Sequence, residues 1–263
     1  MLKKLSIQIY SDFHIELLQQ LPQIIPTAKY LFLVGNICQL NHPLFFKFFD
    51  YCAKLWDKIF YIPGNHEFYC GKKNYNTINF EYILKFKERY KNIFYLNNNS
   101  VSLNDEIDIY GCVFWTIYPN ETYTYLNDYR EIKQFSDITK NNIPIDYAFM
   151  KKLSDESLKG ISFYLDKSIK KTIIMTHFPP IQKGTSNPLL YNTQSQDIKD
   201  YFAWNNILTD LNLTNVPLWI SGHTHWSYDI MYDNTRLISN QLGYKSEFGC
   251  TNIVQDGLFE INL

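Results

Sequence analysis

The chain has 263 residues, and 25 Lys and Arg against 26 Asp and Glu give a formal net charge of −1. A hydrophobic fraction of 46% and a charged fraction of 19% are typical of a globular protein and exclude a disordered chain. The near-zero charge gives no basis for bulk binding to nucleic acid or to a membrane surface. The apolar runs are far shorter than the roughly 20 residues that span a bilayer.

The amino-terminal segment and the cysteines indicate the cellular compartment of the protein. Residues 1–4 resemble the start of a signal peptide, but the stretch that follows contains Asp12, His14 and Glu16 and no small-residue cleavage site. The five cysteines, at positions 38, 52, 70, 112 and 250, are odd in number and form no CxxC pair. This pattern predicts reduced, mostly buried thiols, and we expect a cytoplasmic protein.

Short apolar or β-branched runs predict strands along the chain. These runs are residues 5–10, 30–34, 59–62, 172–176 and 216–220. Residues 100–114 have the pattern of a strand–turn–strand unit, and residues 228–263 that of several short strands.

Apolar residues at helical spacing predict helices between these strands. Their apolar faces are Phe45, Phe48, Phe49 and Cys52; Phe80, Ile83, Leu84 and Tyr90; Leu158, Ile161 and Leu165; and Ile198, Phe202 and Leu208. We expect the first to begin at residues 41–43 and the third to end at about residue 170. Strands that alternate with helices and then cluster predict an α/β domain with sheets sandwiched by helices.

Polar side chains that can bind a metal collect at the ends of the predicted strands. All the histidines except His42 follow a strand, and in α/β sheets functional sites form beyond the carboxyl ends of the strands. Asp12 and His14, like His223 and His225, are two residues apart, so in an extended segment both members of a pair point the same way. Each group alone also has a structural interpretation, as a surface triplet, a solvated turn or a buried structural histidine, but all of them together favour a site.

The donor set consists of nitrogen and oxygen with no thiolate, which favours Mn, Fe, Zn, Ni or Mg over a structural zinc site. About six ligands are too many for one tetrahedral ion. They suit a pair of divalent ions about 3.5–4 Å apart, bridged by a hydroxide that attacks phosphorus. Of these metals we expect Mn²⁺ first.

The motifs and their order resemble those of the calcineurin-like metallophosphoesterases over essentially the whole chain. The family pattern is DxH, GD, GNH, a His after a strand, and GHxH. Here it stands as Asp12-Phe13-His14, Gly35-Asn36, Gly64-Asn65-His66, Thr176-His177 and Gly222-His223-Thr224-His225. The stretches 64–69 (GNHEFY) and 111–116 (GCVFWT) are similar to those of a bacterial-type subgroup.

The resemblance implies a single domain, residues 1–263, with the fold of a four-layer αββα sandwich of two mixed β-sheets flanked by helices. It implies two sets of metal ligands: Asp12, His14 and His225 for one ion, and Asn65, His177 and His223 for the other. His66 would contact the phosphate and protonate or stabilise the leaving oxygen. The nucleophile would be a metal-bound hydroxide, with no covalent intermediate.

The sequence departs from the family at Asn36, where the family has an Asp that bridges both metals. An amide oxygen is neutral and a poor bridge, so we expect at least one of the metal sites to be weakened. Three explanations stay open. The Asn is natural in a slow or metal-selective enzyme, it is natural in a degenerate binding protein, or it was engineered to trap a substrate.

The substrate is suggested by residues around the motifs. Protein phosphatases of this superfamily carry an Arg before GNHE, whereas this chain has Pro63 and only three arginines in all. Arg is the preferred clamp for phosphate, so its scarcity favours a small phosphodiester or a nucleotide over a phosphoprotein. The alternative is a catalytically impaired protein that binds a phosphorylated ligand, and the charge disfavours a nuclease.

Aromatic residues beside the motifs are candidate substrate contacts, namely Tyr69, Trp115 and Phe178. Because 17% of the residues are aromatic, core packing is the competing interpretation of each. The subgroup's Asn-Pro-Arg-Gly-Tyr segment is Asn240-Gln241-Leu242-Gly243-Tyr244 here, which removes an Arg. Residues 117–143 and 179–197 lie between motif-bearing strands, and we expect them to wall the pocket.

Overall fold

The strands expected from the sequence are present in the computed structural model, which describes residues 4–117, 126–204, 206–247 and 252–262. The strands are β1 (Lys4–Tyr10), β2 (Tyr30–Val34), β3 (Lys58–Ile62), β4 (Ile93–Tyr95), β5 (Asn99–Ser102), β6 (Ile107–Cys112), β7 (Lys133–Ser136), β8 (Asn141–Pro144), β9 (Lys171–Thr176), β10 (Leu218–Ile220), β11 (Tyr228–Tyr232), β12 (Thr235–Ser239) and β13 (Leu258–Asn262). The helices are α1 (Phe45–Ala53), α2 (Tyr75–Arg89), α3 (Asn127–Glu131), α4 (Tyr147–Lys167), α5 (Pro188–Thr193) and α6 (Gln196–Phe202).

Two mixed sheets form the centre of the fold. The first has the strand order β13-β1-β2-β3-β4, and only its β13–β1 pair is antiparallel. The second has the order β11-β12-β10-β9-β6-β5, with a parallel centre from β12 to β6 and an antiparallel strand at each edge. Strands β7 and β8 form a separate hairpin.

The two sheets pack face to face between helices, which confirms the expected four-layer αββα sandwich. Alternate residues of β2 serve different layers. Phe32 and Val34 share a core with residues of β6, β9 and β10 of the other sheet, whereas Leu31 and Leu33 share one with α1 and α2. On the far side, Ile161 and Leu165 of α4 cover the second sheet. The continuous apolar run of β2 is therefore explained by burial on both faces.

The helix α2 buries a different face from the one expected. Phe80, Ile83 and Leu84 are exposed, and the buried residues are Tyr75, Ile78, Tyr82 and Phe86. Tyr82 and Phe86 stack on Tyr95 of β4 with ring centroids 5.4 Å and 5.8 Å apart. Tyr90, the fourth residue of the expected face, is buried at the end of the helix, unlike the other three. The expectation missed Tyr75 and Tyr82, whose rings pack as well as those of Phe.

The other helices largely follow the sequence. The α1 positions Phe45, Phe48, Phe49 and Cys52 are all buried, as predicted. Leu208 is not part of α6 but lies in a separate 3₁₀ turn, Ile207–Asp210. The described cysteines, at positions 38, 52, 70 and 112, are buried and unpaired, and Cys250 lies outside the described residues. Within the described ranges, no helix is long and apolar enough to cross a membrane.

The buried carboxylate of Glu67 links the loops that follow β2 and β3. It accepts hydrogen bonds from the backbone N–H groups of Asn36 (2.9 Å), Ile37 (2.7 Å) and Gly64 (2.7 Å), and from the hydroxyl of Tyr61 (3.1 Å). Burial raises the pKa of Glu67 to about 7, and the backbone donors oppose this rise. One side chain thus fixes two loops that carry candidate ligands.

We expect Glu67→Gln to lower the free energy of unfolding by about 2–6 kcal/mol, since the amide leaves two buried donors without an acceptor at about 1–3 kcal/mol each. Urea denaturation followed by circular dichroism measures the change. The matched control is Glu81→Gln, which breaks a surface ion pair with Lys73 and should cost less than about 1 kcal/mol. Equal stability of the two variants would show that Glu67 does not hold the loops.

A second prediction concerns Gly111 of β6, which packs closely against Ile62 and Leu96 on the side of the other sheet. A Cβ at this position would lie 2.6 Å from both Ile62 Cγ2 and Leu96 Cβ. We therefore expect Gly111→Ala to destabilise the fold by about 1–3 kcal/mol, the usual cost of overpacking. Ser100→Ala on the neighbouring strand is the control, because Ser100 is exposed and the change should stay within about 0.5 kcal/mol. Thermal melting of both variants measures the two changes in stability. Unchanged stability of Gly111→Ala would refute the prediction.

Candidate metal centre

The candidate ligands and His66, the candidate phosphate contact, follow strands of both large sheets at their carboxyl ends. Asp12 and His14 come after β1, Asn36 after β2, Asn65 and His66 after β3, His177 after β9, and His223 and His225 after β10. Contacts across the sheets bring these ends together. His177 Nδ1 lies 3.0 Å from the carbonyl oxygen of Val34, and the backbone N–H of His223 donates to Asp12 Oδ2 at 3.0 Å.

Asp12, His14 and His225 form the first cluster of ligand atoms. Nε2 of His14 lies 3.1 Å from Nε2 of His225. Oδ1 of Asp12 lies 3.6 Å from the His225 nitrogen and 4.0 Å from the His14 nitrogen. Two imidazole nitrogens and one carboxylate oxygen that converge in this way can hold one divalent ion.

Asn65, His177 and His223 form the second cluster. Oδ1 of Asn65 lies 3.1 Å from Nε2 of His177. The rings of His177 and His223 are edge to face, with centroids 5.1 Å apart. The three side chains offer one amide oxygen and two imidazoles, a neutral set that suits a second divalent cation.

Buried polar atoms without partners show that these residues fit metal ions. Among the described residues, Asp12 Oδ1 and both ring nitrogens of His223 are buried and make no hydrogen bond, although such groups are normally paired. Burial lowers the pKa of His177 to about 4 and the pKa of His223 well below its usual range. It also lowers the pKa of His14. Neutral imidazole is the form that binds a metal.

Two carboxylates hold the outer nitrogens of the first cluster, and no motif pointed to either of them. Glu16 Oε1 lies 3.3 Å from Nδ1 of His14 and 3.3 Å from Nδ1 of His66. Burial opposes the charge on Glu16, but these hydrogen bonds lower its pKa to about 2. Glu247 Oε2 lies 2.6 Å from Nδ1 of His225, and although burial works in the opposite direction this contact raises the pKa of His225.

A third carboxylate, Asp128 of α3, orients the amide of Asn65. Asp128 Oδ1 accepts a hydrogen bond from Asn65 Nδ2 at 2.8 Å and another from the hydroxyl of Tyr69. Its second oxygen accepts from the hydroxyl of Tyr201 at 2.9 Å. Because the amide nitrogen faces Asp128, the amide oxygen faces His177, as a metal ligand must.

The side chain of Asn36 contacts the loop that follows β3. Its Oδ1 accepts the backbone N–H of His66 at 3.0 Å, and a Cβ on Gly64 would lie only 2.3 Å from that oxygen. Gly64 is therefore the residue that lets the two loops meet. With the oxygen held in this way, the amide nitrogen occupies the place of an aspartate's second oxygen, and an amide nitrogen is a donor that does not bind cations.

Backbone strain is concentrated at the candidate ligands. Five of them have left-handed φ angles, namely Asp12 (56°), His14 (47°), Asn36 (52°), His223 (73°) and His225 (52°). This conformation is uncommon outside Gly and costs on the order of 1–3 kcal/mol at each residue. Its presence at so many ligand positions indicates that the loops keep a costly backbone conformation because it places side chains for a functional site.

A cavity of about 320 Å³ opens beside the two clusters. Its walls include the predicted contacts His66 and Tyr69. The other lining residues are Asn36, Asn65, Leu126, Asn127, Ser186, Asn187, Leu190, Gln194, Tyr201, Phe202, His223, Thr224, His225, Tyr244 and Glu247. This confirms the expected contribution of the segments 117–143 and 179–197, of which residues 118–125 lie outside the described part of the chain.

The structure places the three candidate aromatic contacts differently. Tyr69 lines the cavity, and its ring lies 4.5 Å from that of His66. Trp115 is 1% exposed and packs in the core beside Phe68 and Tyr75, away from the cavity lining. Phe178 is also 1% exposed, and its ring supports His223 at a centroid distance of 4.0 Å. Core packing is thus the role that the structure gives to Trp115.

Known proteins resemble the chain in sequence and in fold. It is 32% identical over 230 residues to a protein of Acanthamoeba polyphaga mimivirus named uncharacterized protein L509, covering 83% of this chain and 79% of that protein. The phosphopantetheinyl hydrolase of Mycobacterium tuberculosis has a similar fold, with a TM-score of 0.69, 14% identity and coverage of 98% and 95% of the two chains. A dimetal phosphatase of Danio rerio has a TM-score of 0.50, 11% identity and coverage of 90% and 87%.

The sequence model of one protein family accounts for most of the chain. That model is described as calcineurin-like phosphoesterase, and it matches residues 5–227, a range that contains every candidate ligand. The strand-end motifs, the sandwich of two mixed sheets and the clustered ligand atoms agree with this match. The chain therefore belongs to the calcineurin-like phosphoesterase family.

Proposed function

We propose that the chain is a metal-dependent phosphodiesterase that acts on small phosphodiesters or nucleotides. The observation that carries this proposal is the charge of the cavity. None of its described lining residues is Lys or Arg, and the segments 118–125 and 248–251, which adjoin lining residues in sequence, contain neither. A phosphomonoester carries about −1.5 to −2 charges at neutral pH and is normally clamped by basic side chains. A diester carries one charge and needs fewer clamps.

Two divalent ions would be held by the two ligand clusters, with Mn²⁺ expected first and Fe, Zn, Ni or Mg as alternatives. Asp12, His14 and His225 would hold one ion, and Asn65, His177 and His223 the other, with Asn36 between them. Bound divalent ions supply Lewis-acid stabilisation of the phosphoryl charge and activate water for attack on phosphorus. The protein's own contribution is to fix the ligands in neutral, oriented forms.

His66 is the side chain best placed to act on the leaving oxygen. It lines the cavity, its Nδ1 is hydrogen-bonded to Glu16, and its Nε2 lies 3.4 Å from the hydroxyl of Tyr244. With Nδ1 engaged, Nε2 is the atom that would carry a proton to the departing alkoxide or stabilise its charge. Tyr69 would contact the ester group, as would Tyr201 and Phe202, which also line the cavity. We also infer a cytoplasmic location, which the unpaired thiols of the described cysteines support.

Hydrolysis of bis(p-nitrophenyl) phosphate with added Mn²⁺ tests this proposal, with p-nitrophenyl phosphate as the monoester reference. We expect a higher kcat/KM for the diester because the cavity lacks basic clamps. Asp12→Asn removes the only carboxylate among the candidate ligands and should abolish turnover. A preference for the monoester would contradict the diesterase, and full activity of Asp12→Asn would contradict the assigned centre.

Asn36 favours a second candidate, a catalytically impaired protein that holds a phosphorylated ligand. Such a protein would gain thermal stability from its ligand without turning it over. The missing charge would weaken the centre whether Asn36 is natural or engineered.

Asn36→Asp separates the two candidates. We expect this change to raise Mn²⁺ affinity and diester turnover by at least about tenfold, since it adds a charged oxygen to the ligand set. Asn74→Asp is the matched control, because Asn74 caps α2 and does not line the cavity, and Asp is an equally good cap. Turnover only in Asn36→Asp would favour the binding protein. Identical metal content and rates in both forms would show that position 36 does not limit the centre.

A further inference from the structure

Carboxylates one hydrogen bond away from the candidate ligands surround the centre. Glu16 contacts His14, Glu247 contacts His225, and Asp128 contacts the amide nitrogen of Asn65. Asp12 is the only charged side chain among the candidate ligands themselves. The negative charge of the site is therefore mostly one bond removed from the places where the ions would bind.

These contacts act on the ligands in a specific way. An imidazole that donates its outer N–H to a carboxylate is fixed in one tautomer and becomes a more basic ligand at its inner nitrogen. The distances of 3.3 Å for Glu16 and 2.6 Å for Glu247 place both carboxylates on Nδ1, and the two Nε2 atoms face each other 3.1 Å apart. The inner nitrogens are thus the ones that these carboxylates strengthen.

Glu247 is the more informative of the two for a test. The side chain of Glu16 is only 7% exposed and also contacts His66, so its removal would disturb two functions at once. Glu247 lies on the cavity wall with its side chain 40% exposed, and besides His225 it accepts only the backbone N–H of Tyr244 at 2.8 Å among its hydrogen bonds within the described residues. A Gln at this position keeps the shape and removes the charge.

We propose that Glu247, like Glu16, is a positioning residue for the metal centre. Each supplies negative charge through the histidine that it contacts, and this charge replaces the one that Asn36 does not supply directly. The affinity for the first ion then depends on Glu247 more strongly with Asn at position 36 than with Asp there. This inference rests on the proposed metal centre, and it assigns to two glutamates outside the ligand motifs a share of the metal affinity.

The test is a double-mutant cycle read by Mn²⁺ binding, measured by isothermal titration calorimetry on protein freed of metal with a chelator. The proteins are the unchanged chain, Glu247→Gln, Asn36→Asp and the variant with both changes. We expect Glu247→Gln to raise the dissociation constant about 10- to 100-fold alone, and by a clearly smaller factor when Asn36→Asp is also present. Glu260→Gln, which breaks an exposed ion pair with Lys4, should leave Mn²⁺ affinity unchanged.

Thermal melting separates a metal role from a purely structural one. If Glu247 acts through the metal, Glu247→Gln melts like the unchanged chain in the presence of chelator and loses part of the stabilisation that Mn²⁺ gives. Equal Mn²⁺ affinity with and without the change, or equal losses in both backgrounds, would overturn the inference while leaving the proposed function intact. No Mn²⁺ binding by any of the four proteins would instead overturn the proposed metal centre.

Discussion

The centre depends first on one buried carboxyl group, that of Glu67. It binds the N–H groups of Asn36 and Ile37 after β2 and of Gly64 after β3, so two strand-end loops share one acceptor. Movement of either loop would leave a buried donor without a partner, and that cost keeps both loops in register. The second sheet is joined to these loops by His177, whose Nδ1 lies 3.0 Å from the carbonyl oxygen of Val34 at the end of β2. The ligand positions are thus consequences of backbone hydrogen bonding as much as of the motifs.

The strand ends were predictable because burial leaves a clear sign in the sequence. The runs at 30–34 and 59–62 are apolar without interruption, the run at 172–176 has an apolar centre between two threonines, and each stops at a polar residue or a Gly turn that begins a motif. Parallel strands place their carboxyl ends on one edge, so chain order alone predicts that these motifs meet. The structure does bring His14 within 3.1 Å of His225, residues from opposite ends of the chain.

The partners of the ligands were not predictable in the same way. Glu16, Asp128 and Glu247 belong to the commonest kind of surface residue, and nothing in their local pattern shows that they are turned inward. Asp128 lies 63 residues from the amide that it orients, so only the tertiary fold reveals the contact. The abundant aromatic residues were also hard to assign from the sequence. Trp115 was a candidate for the pocket, whereas the structure places it in the core.

The charges around the centre have a consequence for the order of binding. Without ions, Glu247 lines the cavity, and Asp12 and Glu16 lie within 4 Å of the lining residues His225 and His66. None of the described lining residues is Lys or Arg, so these carboxylates favour a negative potential there, which repels a phosphate ester. Two divalent ions would bring four positive charges and reverse that sign. Metal loading would then control substrate binding directly, and a centre weakened at Asn36 would bind its anionic ligand only to the extent that its ions are in place. The same coupling runs in reverse, because a bound phosphate ester would hold the ions more tightly.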